Sequence, residues 1–279
     1  MQRIALKVWQ VVEELGESYM LVHIIADYGF GDLAFAEVVQ RVKFYLPDAE
    51  PILTPVPAFA TLAAGFCLAQ LGLNDAPAGT IIYHNVAPRE DDSRSRAGNA
   101  GERLAFARLP TGVRVIGVNA GYAFSFVRDA AAEIRWAAVS ASGSQFRSRD
   151  LFPQAAAAIA LGQPDALTEE ILPSDLPQVP SNCIAYIDGY GNLKTTILSQ
   201  SIKASEGNTV RIRIGELEQE AIASDGSFAV EPGKLAFAPG SSGWIVQGQP
   251  TSWMELFLRG GNAWEKFGRP EVGTRIQIL

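Results

Sequence analysis

The feature that most constrains this chain is a change in the spacing of its apolar residues near Gly162. Upstream, apolar strand-like runs alternate with helical segments: MLVHIIAD (residues 20–27) has the composition of a buried strand, and residues 33–46 carry apolar side chains at helical spacing. Downstream, runs with period-2 alternation, such as residues 210–214 and 274–279, are separated by Gly and Pro turns. The chain therefore combines two different kinds of sheet pattern.

This change predicts an α/β N-terminal domain with a mainly parallel sheet, followed by a smaller all-β C-terminal domain. A proline-rich acidic stretch separates the two patterns and is typical of a linker. The expected divisions are a helical N-terminal extension over residues 1–19, the α/β domain over 20–162, the linker over 163–182 and the β domain over 183–279.

Composition excludes several classes of partner. The chain has 279 residues, is 48% hydrophobic and carries a formal net charge of −7. Because it has no basic block to meet phosphates, we expect no nucleic-acid partner. Its longest apolar stretch, residues 58–73, is too short and too interrupted to span a bilayer, so we expect a buried helix there and no membrane partner.

The cysteines and histidines are few and lack the spacing of a metal site. Cys67 and Cys183 are the two thiols, and two thiols in a chain of this length fit a reducing cytosol, with a single disulfide as the less favoured alternative. His23 lies within the first predicted strand and His84 at the end of another, where each is typical of a structural histidine. We therefore expect a cytoplasmic protein with no metal and no cofactor.

The first candidate site follows the first predicted strand. Asp27 ends this strand and precedes the loop Tyr28-Gly29-Phe30-Gly31-Asp32. Ligands of open α/β sheets bind beyond the carboxyl ends of strands, and a carboxylate there can accept hydrogen bonds from both hydroxyls of a ribose. An equally weighted alternative is that Asp27 or Asp32 only caps the helix that starts near Leu33.

The same loop also fits a weak dinucleotide fingerprint, G-x-G-x-x-A, at Gly29, Gly31 and Ala34. That fingerprint offers backbone N–H groups to a pyrophosphate. Here Asp27 and Asp32 would flank the anion, and like charges this close oppose binding.

The second candidate site lies at the start of the β domain, in the run Asp188-Gly189-Tyr190-Gly191-Asn192. Tyr190 offers an aromatic face, Asn192 an amide that can pair with an adenine edge, and Asp188 a carboxylate suited to an ammonium group. On composition alone the same residues are more typical of a tight turn.

Several stretches, taken in order along the chain, resemble motifs of one enzyme family. Residues 27–29 (DYG) are similar to its Asp-Phe-Gly-like motif, and residues 144–153 (SQFRSRDLFP) to its Ser-Thr-Phe-His-Gly-Arg-Asp-Ile-Phe-Ala-Pro segment. Residues 187–192 (IDGYGN) resemble Ile-Asp-x-Phe-Gly-Asn. Residues 252–255 (SWME) and 260–263 (GGNA) resemble Ser-x-Gly-x-Leu-Glu and Asn-x-Gly-Asn-Ala. The family is that of the S-adenosyl-L-methionine (SAM) hydroxide adenosyltransferases, related to the SAM-dependent fluorinases and chlorinases.

The resemblance implies a homotrimer that holds a small-molecule nucleoside between the N-domain of one subunit and the C-domain of its neighbour. It also implies roles for individual residues. Asp27 would bind the ribose hydroxyls and Tyr190 would stack on adenine. The remaining substrate-binding positions are Ser144, Asn192, Asn262 and Ala263, with Asp188 and Ser252 facing the methionine end.

Two positions depart from the pattern of the family's hydrolases, in which an Asp-Arg-His group orders the attacking hydroxide. Ala87 stands where the Asp is expected, and Arg147 stands where the His is expected. Arg94 is matched to the Arg. Ala87 can neither hold a water nor take its proton, and Arg147 cannot act as a base near neutral pH. A guanidinium facing the sulfonium would also repel it, by roughly 4 kcal/mol at about 4 Å and an effective dielectric near 20.

The expected function is therefore a SAM hydrolase-like adenosyl transfer that gives adenosine and methionine, with weakened or altered catalysis. Two alternatives stay open. One is a catalytically silent adenosine- or SAM-binding protein. The other is a transferase that uses an anionic, halide-like nucleophile, with Arg147 or Arg94 forming the anion site.

Overall fold

The computed structural model describes residues 20–88, 95–140, 142–202, 207–246 and 248–279. The helical extension predicted over residues 1–19 and the candidate residue Arg94 lie outside these ranges. Within the described ranges, strands far outnumber helices.

The first part of the chain contains β1 (Met20–Ala26), α1 (Leu33–Tyr45), β2 (Ala49–Pro55), α2 (Thr61–Gly72), β3 (Ile81–Asn85), β4 (Leu104–Arg108), β5 (Arg114–Val118), β6 (Glu133–Ala137), α3 (Arg147–Asp150), α4 (Phe152–Ala160) and β7 (Leu167–Glu170). The second part contains β8 (Ile184–Ile187), β9 (Leu193–Leu198), β10 (Thr209–Ile214), β11 (Leu217–Ala223), β12 (Leu235–Val246), β13 (Gln249–Leu258), α5 (Ala263–Lys266) and β14 (Ile276–Ile278).

The first sheet is mixed, which corrects the prediction of a mainly parallel sheet. Its order is β2-β1-β3-β5-β4-β6-β7, with parallel pairing from β2 to β5 and antiparallel pairing from β5 to β7. The strand–helix alternation stops after α2. A short turn at residues 109–113, with Gly112 at φ 87°, joins β4 to β5, and so short a connection can join only antiparallel neighbours.

The second sheet is as large as the first, so the expected smaller β domain is also wrong. It has seven strands in the order β14-β10-β11-β12-β13-β9-β8, antiparallel except for the pair β11 and β12. The described part of the chain is thus mostly β, with two seven-stranded mixed sheets, and not an α/β domain followed by a smaller all-β domain. Apolar periodicity identifies single strands, but it does not count the neighbours that each strand will pair with.

Helix α2 lies between the two sheets and joins their cores. It is apolar on all sides, as expected for a helix that is buried all round, and this confirms the buried helix predicted in that stretch. Phe66 stacks on Tyr186 of β8 with ring centroids 6.1 Å apart, and meets Trp244 of β12 edge-on at 5.7 Å. Next to it, Gln70 Oε1 accepts a hydrogen bond from the backbone N–H of Gly243 at 3.1 Å.

The segment predicted as a linker, residues 163–182, contributes structure to this arrangement. It supplies β7, which pairs with β6, and it buries Leu176 in the core around α2. Within the described residues, no helix has the length and apolar character needed to cross a membrane.

The parallel part of the first sheet contains a topological switch point. From β1 the chain passes through α1 to β2 on one side, and then through α2 to β3 on the other side of β1. The two helices cover opposite faces, because Ile24 packs with α1 whereas Ile25 packs with α2. Open sheets bind ligands in the crevice at the carboxyl ends of strands that diverge in this way.

Candidate functional site

A cavity of about 310 Å³ lies at this switch point. Tyr28 follows β1, Asn85 ends β3, and Val118 ends β5, so three strand ends contribute to its walls. The full lining consists of Tyr28, Asn85, Ala87, Arg96, Asn99, Ala100, Gly101, Glu102, Val118, Gln145, Phe146, Arg147, Ser148 and Phe152.

One wall of the cavity is fixed by a chain of hydrogen bonds. The Asn85 amide donates to the Tyr28 hydroxyl at 3.0 Å, and that hydroxyl lies 2.6 Å from Ser148 Oγ. Tyr83 donates its hydroxyl to the backbone carbonyl of Ser148 at 2.7 Å. Burial raises the pKa of Tyr83 well above its ordinary value, so this donor keeps its proton. The start of α3 is therefore tied to the ends of β1 and β3.

Arg147 and Glu102 form a buried ion pair in the cavity. Arg147 Nη2 lies 3.8 Å from Glu102 Oε2, and only 15% and 7% of the two side chains are exposed. The guanidinium lies 5.6 Å from the ring centroid of Phe152. A Cβ at Gly101 would stand 1.7 Å from Arg147 Nη2, so a glycine is needed there to admit the side chain. Arg147 thus lies inside the cavity with its charge opposed by Glu102.

The structure therefore brings together the two positions that depart from the hydrolase pattern, since Ala87 and Arg147 line one cavity. It adds Glu102, which sequence reasoning missed. This residue stands in a charged stretch before β4 and belongs to no recognisable motif, so nothing in its spacing could have indicated that it faces Arg147.

Asp27 follows the carboxyl end of β1 and precedes Tyr28, which lines this cavity, but Asp27 is not itself among the lining residues. Its Oδ2 accepts a hydrogen bond from the backbone N–H of Phe59 at 3.0 Å. The N-cap of α1 is Asp32, whose Oδ1 accepts from the N–H of Ala34 at 2.7 Å. The capping alternative therefore applies to Asp32 and not to Asp27. The Asp32 cap also argues against the dinucleotide fingerprint, because the carboxylate of Asp32 accepts a backbone N–H that a bound phosphate would use.

Ser144 precedes α3, with its hydroxyl turned toward that helix. Its Oγ accepts from the backbone N–H of Phe146 at 3.0 Å and donates to the carboxylate of Asp150. Hydrogen bonds from Arg149 and Ser144 lower the pKa of Asp150. Ser144 therefore orders the backbone that carries Arg147.

The second candidate group surrounds the loop between β8 and β9. Asp188 Oδ1 accepts from the backbone N–H groups of Tyr190 at 2.9 Å and of Asn192 at 3.0 Å, and its Oδ2 accepts from the Asn192 amide at 3.0 Å. Residues 188–192 therefore form the tight turn that their composition favoured. The turn leaves the side chain of Tyr190 projecting into solvent, with the residue 81% exposed.

Helix α5 packs against this turn. Asn262 is its N-cap and accepts from the N–H of Glu265 at 2.9 Å. The N–H of Trp264 donates to the carbonyl of Gly191 at 2.8 Å, and a Cβ at Gly191 would lie 2.1 Å from Asn262 Oδ1. Asp188, Asn192, Asn262 and Ala263 are therefore close neighbours. Ser252 lies on β13, where its hydroxyl hydrogen-bonds to that of Ser199.

A second buried ion pair lies beneath the turn and was also missed from the sequence. Lys194 Nζ lies 2.9 Å from Glu255 Oε1 and 4.0 Å from Asp188 Oδ2. Glu255 is fully buried. The lysine thus links the carboxylate of the turn to the core of the second sheet.

The two candidate groups lie on different sheets of the chain. Asp27 and the cavity belong to the first sheet, and the turn with α5 belongs to the second. Among the described residues, no group of three or more His, Cys, Asp or Glu side chains could hold a metal ion.

Comparison with known proteins defines the fold and no more. No family model matches the sequence, and no curated protein matches it significantly. Among solved structures, the fold is similar to that of an uncharacterized conserved protein from Thermotoga maritima. The TM-score is 0.72 at 20% identity, and the match covers 92% of this chain and 100% of that one.

A conserved hypothetical protein from Thermus thermophilus is similar as well, with a TM-score of 0.65 at 20% identity over 93% of this chain and 100% of that one. The fold is therefore similar to both structures along their whole length.

Proposed function

We propose that this protein binds the adenosine part of S-adenosyl-L-methionine and transfers it to water, in a SAM hydrolase-like reaction with weakened or altered catalysis. One observation carries the proposal. A polar cavity opens at the switch point between β1 and β3, lined by Tyr28, the residue that follows Asp27, and Asp27 is not the N-cap of α1. The order of motifs along the chain supports the same ligand.

The chemistry is an in-line displacement at the 5′ carbon of the ribose. The oxygen of water forms a bond to this carbon, the carbon–sulfur bond breaks, and its electron pair stays on sulfur as methionine leaves. Positioning and desolvation supply most of the acceleration in such a step, and a general base adds about 10²- to 10⁴-fold. Ala87 offers no group for the water, and this is why we expect weakened or altered catalysis unless another side chain takes this role.

The binding roles follow from charge and shape. Asp27 would accept hydrogen bonds from the ribose hydroxyls, and the exposed ring of Tyr190 would stack on adenine, with Asn192 at its edge. Asp188 already accepts three N–H groups, so it would contribute charge toward the methionine ammonium, as Ser252 would contribute a hydroxyl.

We further propose that the site is assembled in a homotrimer. Asp27, which would bind the ribose, belongs to the part of the chain that forms the first sheet. Tyr190 and Asn192, which would bind adenine, belong to the part that forms the second. A neighbouring subunit can bring its turn and α5 to the cavity of this chain, and a closed ring of three subunits would make three equal sites.

A cytoplasmic location is proposed from the thiols. Cys67 and Cys183 are both buried and unpaired. Burial raises the pKa of Cys67 to about 12, which keeps it inert. Such thiols are typical of proteins in reducing compartments.

A catalytically silent nucleoside-binding protein is the second candidate function, favoured by Ala87. The ion pair between Arg147 and Glu102 weighs against an anionic nucleophile, because the carboxylate already opposes the charge that would attract an anion.

Incubation with SAM, with and without halide, separates these functions. Chromatography that shows adenosine and methionine in equal amounts, whether or not halide is present, supports the hydrolase-like reaction. A halogenated adenosine would indicate the anionic nucleophile. Calorimetric binding of SAM with no product would indicate the silent binder, and absence of both heat and product would contradict the proposal.

A further inference from the structure

Glu102 is a buried acid in the cavity to which the proposed function assigns no role. Its side chain is 7% exposed, and its Oε1 is shielded from solvent without a hydrogen-bond partner among the described residues. Leaving a buried carboxylate oxygen without a partner costs free energy, and such groups are rare in folded proteins. A ligand or an ordered water in the cavity would supply the missing partner.

The surroundings of Glu102 hold it in place. Its other oxygen, Oε2, faces Arg147 at 3.8 Å, and Arg147 in turn packs over Phe152 and fills the space that Gly101 leaves open. The pair carries no net charge. A sulfonium in the cavity would therefore meet a neutral pair and not an isolated guanidinium, which removes the repulsion that Arg147 alone would cause.

The cavity has room and partners for water near this oxygen. Its volume accessible to a water molecule is about 310 Å³, and about 10–15 Å³ on this measure is enough to hold one water. Tyr28, Asn85 and Gln145, which all have polar side chains, line the same space. An ordered water needs two to four polar partners, and Glu102 Oε1 together with these groups can provide them.

Resting on the proposed function, we propose that Glu102 binds the attacking water and accepts its proton, the task for which Ala87 has no carboxylate. The water oxygen bonds to the 5′ carbon while the carbon–sulfur bond breaks and its electron pair goes to methionine sulfur. One water proton passes to Glu102 and is later released to solvent, and the other stays as the 5′ hydroxyl of adenosine. Arg147 acts as a positioning residue that orients the carboxylate.

The test compares Glu102→Gln with a matched control, Glu133→Gln. Glu133 lies on β6 and pairs at 3.5 Å with Arg108, half of whose side chain is exposed, so it is outside the proposed site. In single-turnover reactions with SAM, Glu102→Gln should slow adenosine release by about 10²- to 10⁴-fold, the usual contribution of a general base. Its affinity for SAM by calorimetry should also fall, because the neutral amide leaves the charge of Arg147 unopposed, so the rates are compared at saturating SAM. Its affinity for adenosine, which has no sulfonium, should stay within a few-fold of the unaltered protein, and Glu133→Gln should match the unaltered protein in rate and in both affinities.

A merely structural role is separated by chemical rescue. In Glu102→Ala, added formate should restore adenosine release in proportion to its concentration, because the small carboxylate can occupy the vacated space. This variant also serves if Glu102→Gln fails to fold.

Three results would overturn the inference, and they are distinguishable. Equal rates in Glu102→Gln and the unaltered protein, with SAM bound, would reject Glu102 as the base and leave the proposed function standing. SAM binding without any adenosine release from the unaltered protein would reject Glu102 as the base and favour the silent binder. Absence of SAM binding would reject the proposed function as well.

Discussion

Asp27 and Asp32 lie at the two ends of one loop, and only Asp32 caps the helix that follows it. Asp32 accepts from the N–H of Ala34 at 2.7 Å, whereas Asp27 accepts from the N–H of Phe59 at 3.0 Å, at the end of the switch-point strand. Two carboxylates five positions apart therefore hold different places in the structure. This division provides a matched pair of variants.

Asp27→Ala should weaken the binding of adenosine or SAM by roughly ten- to more than a hundredfold, because hydrogen bonds to a charged group contribute about 1.5–3 kcal/mol. Asp32→Ala should lower the free energy of unfolding by about 0.5–2 kcal/mol through loss of the N-cap, with little change in affinity. Calorimetry and urea unfolding measure the two effects. The reverse result, with affinity lost only in Asp32→Ala, would show that the ribose site has been misplaced.

Gly191→Ala should disrupt the turn at the start of β9 and with it nucleoside binding. Gly191 has φ 77°, and a Cβ there would lie 2.1 Å from Asn262 Oδ1, so the substitution strains the backbone and displaces the cap of α5. Gly189→Ala is the control in the same turn, since a Cβ at Gly189 meets nothing within 4 Å. Thermal unfolding should show a lower melting temperature, and calorimetry weaker nucleoside binding, in Gly191→Ala than in Gly189→Ala. Equal melting temperatures and equal affinities would contradict the packing of the turn against α5.

The buried histidine His84 should make the protein sensitive to acid. Its ring is fully buried, and burial lowers its pKa to about 3, so it stays neutral in the folded protein. The unfolded chain takes up a proton near pH 6.5, and stability is therefore complete above that pH and lost as the pH falls toward 3, by about 1.4 kcal/mol per unit.

His84→Leu removes this titration, so its free energy of unfolding should fall less between pH 6.5 and 5 than that of the unaltered protein. The difference should be about 2 kcal/mol by urea unfolding at the two pH values. His23, whose pKa burial also lowers, is common to both proteins and cancels in the comparison. An equal fall in the free energy of unfolding in the two proteins would mean that His84 is not held neutral.

The trimer is tested best by complementation. Asp27→Ala damages the first-sheet half of the proposed site, and Tyr190→Ala damages the second-sheet half. If each site combines halves from two subunits, unfolding and refolding the two variants together should restore tight nucleoside binding in part of the sites. Light scattering should give three chains per particle. A site built within one chain would gain nothing from mixing.

The sequence was most informative where local spacing decides the structure. The periodicity of residues 33–46 predicted α1, and the all-round apolar stretch at residues 58–73 predicted a buried helix, which is α2. Pro110 and Gly112 mark the turn between β4 and β5, but a turn signal does not show which strands will lie side by side. The mixed first sheet and the size of the second depend on such long-range pairings, and both were predicted wrongly.

The candidate site shows the same limit. The turn around Asp188 is formed by neighbouring residues, and the composition of this segment predicted a turn. The hydrogen bond that the Asp188 carboxylate accepts from the backbone N–H of Tyr190 is typical of such turns. The pairs Glu102 with Arg147 and Lys194 with Glu255 join residues 45 or more positions apart, and each partner alone is an ordinary charged residue. Only the fold shows that these charges are buried together.

Nucleoside binding is the central claim, and isothermal calorimetry tests it most directly. Titration of the unaltered protein with adenosine and with SAM should give saturable heat with one site per chain, and Asp27→Ala should need roughly ten- to more than a hundredfold more ligand. Absence of heat with adenosine, SAM and adenosine monophosphate, at protein concentrations where the fold is intact by circular dichroism, would contradict the assignment of the ligand.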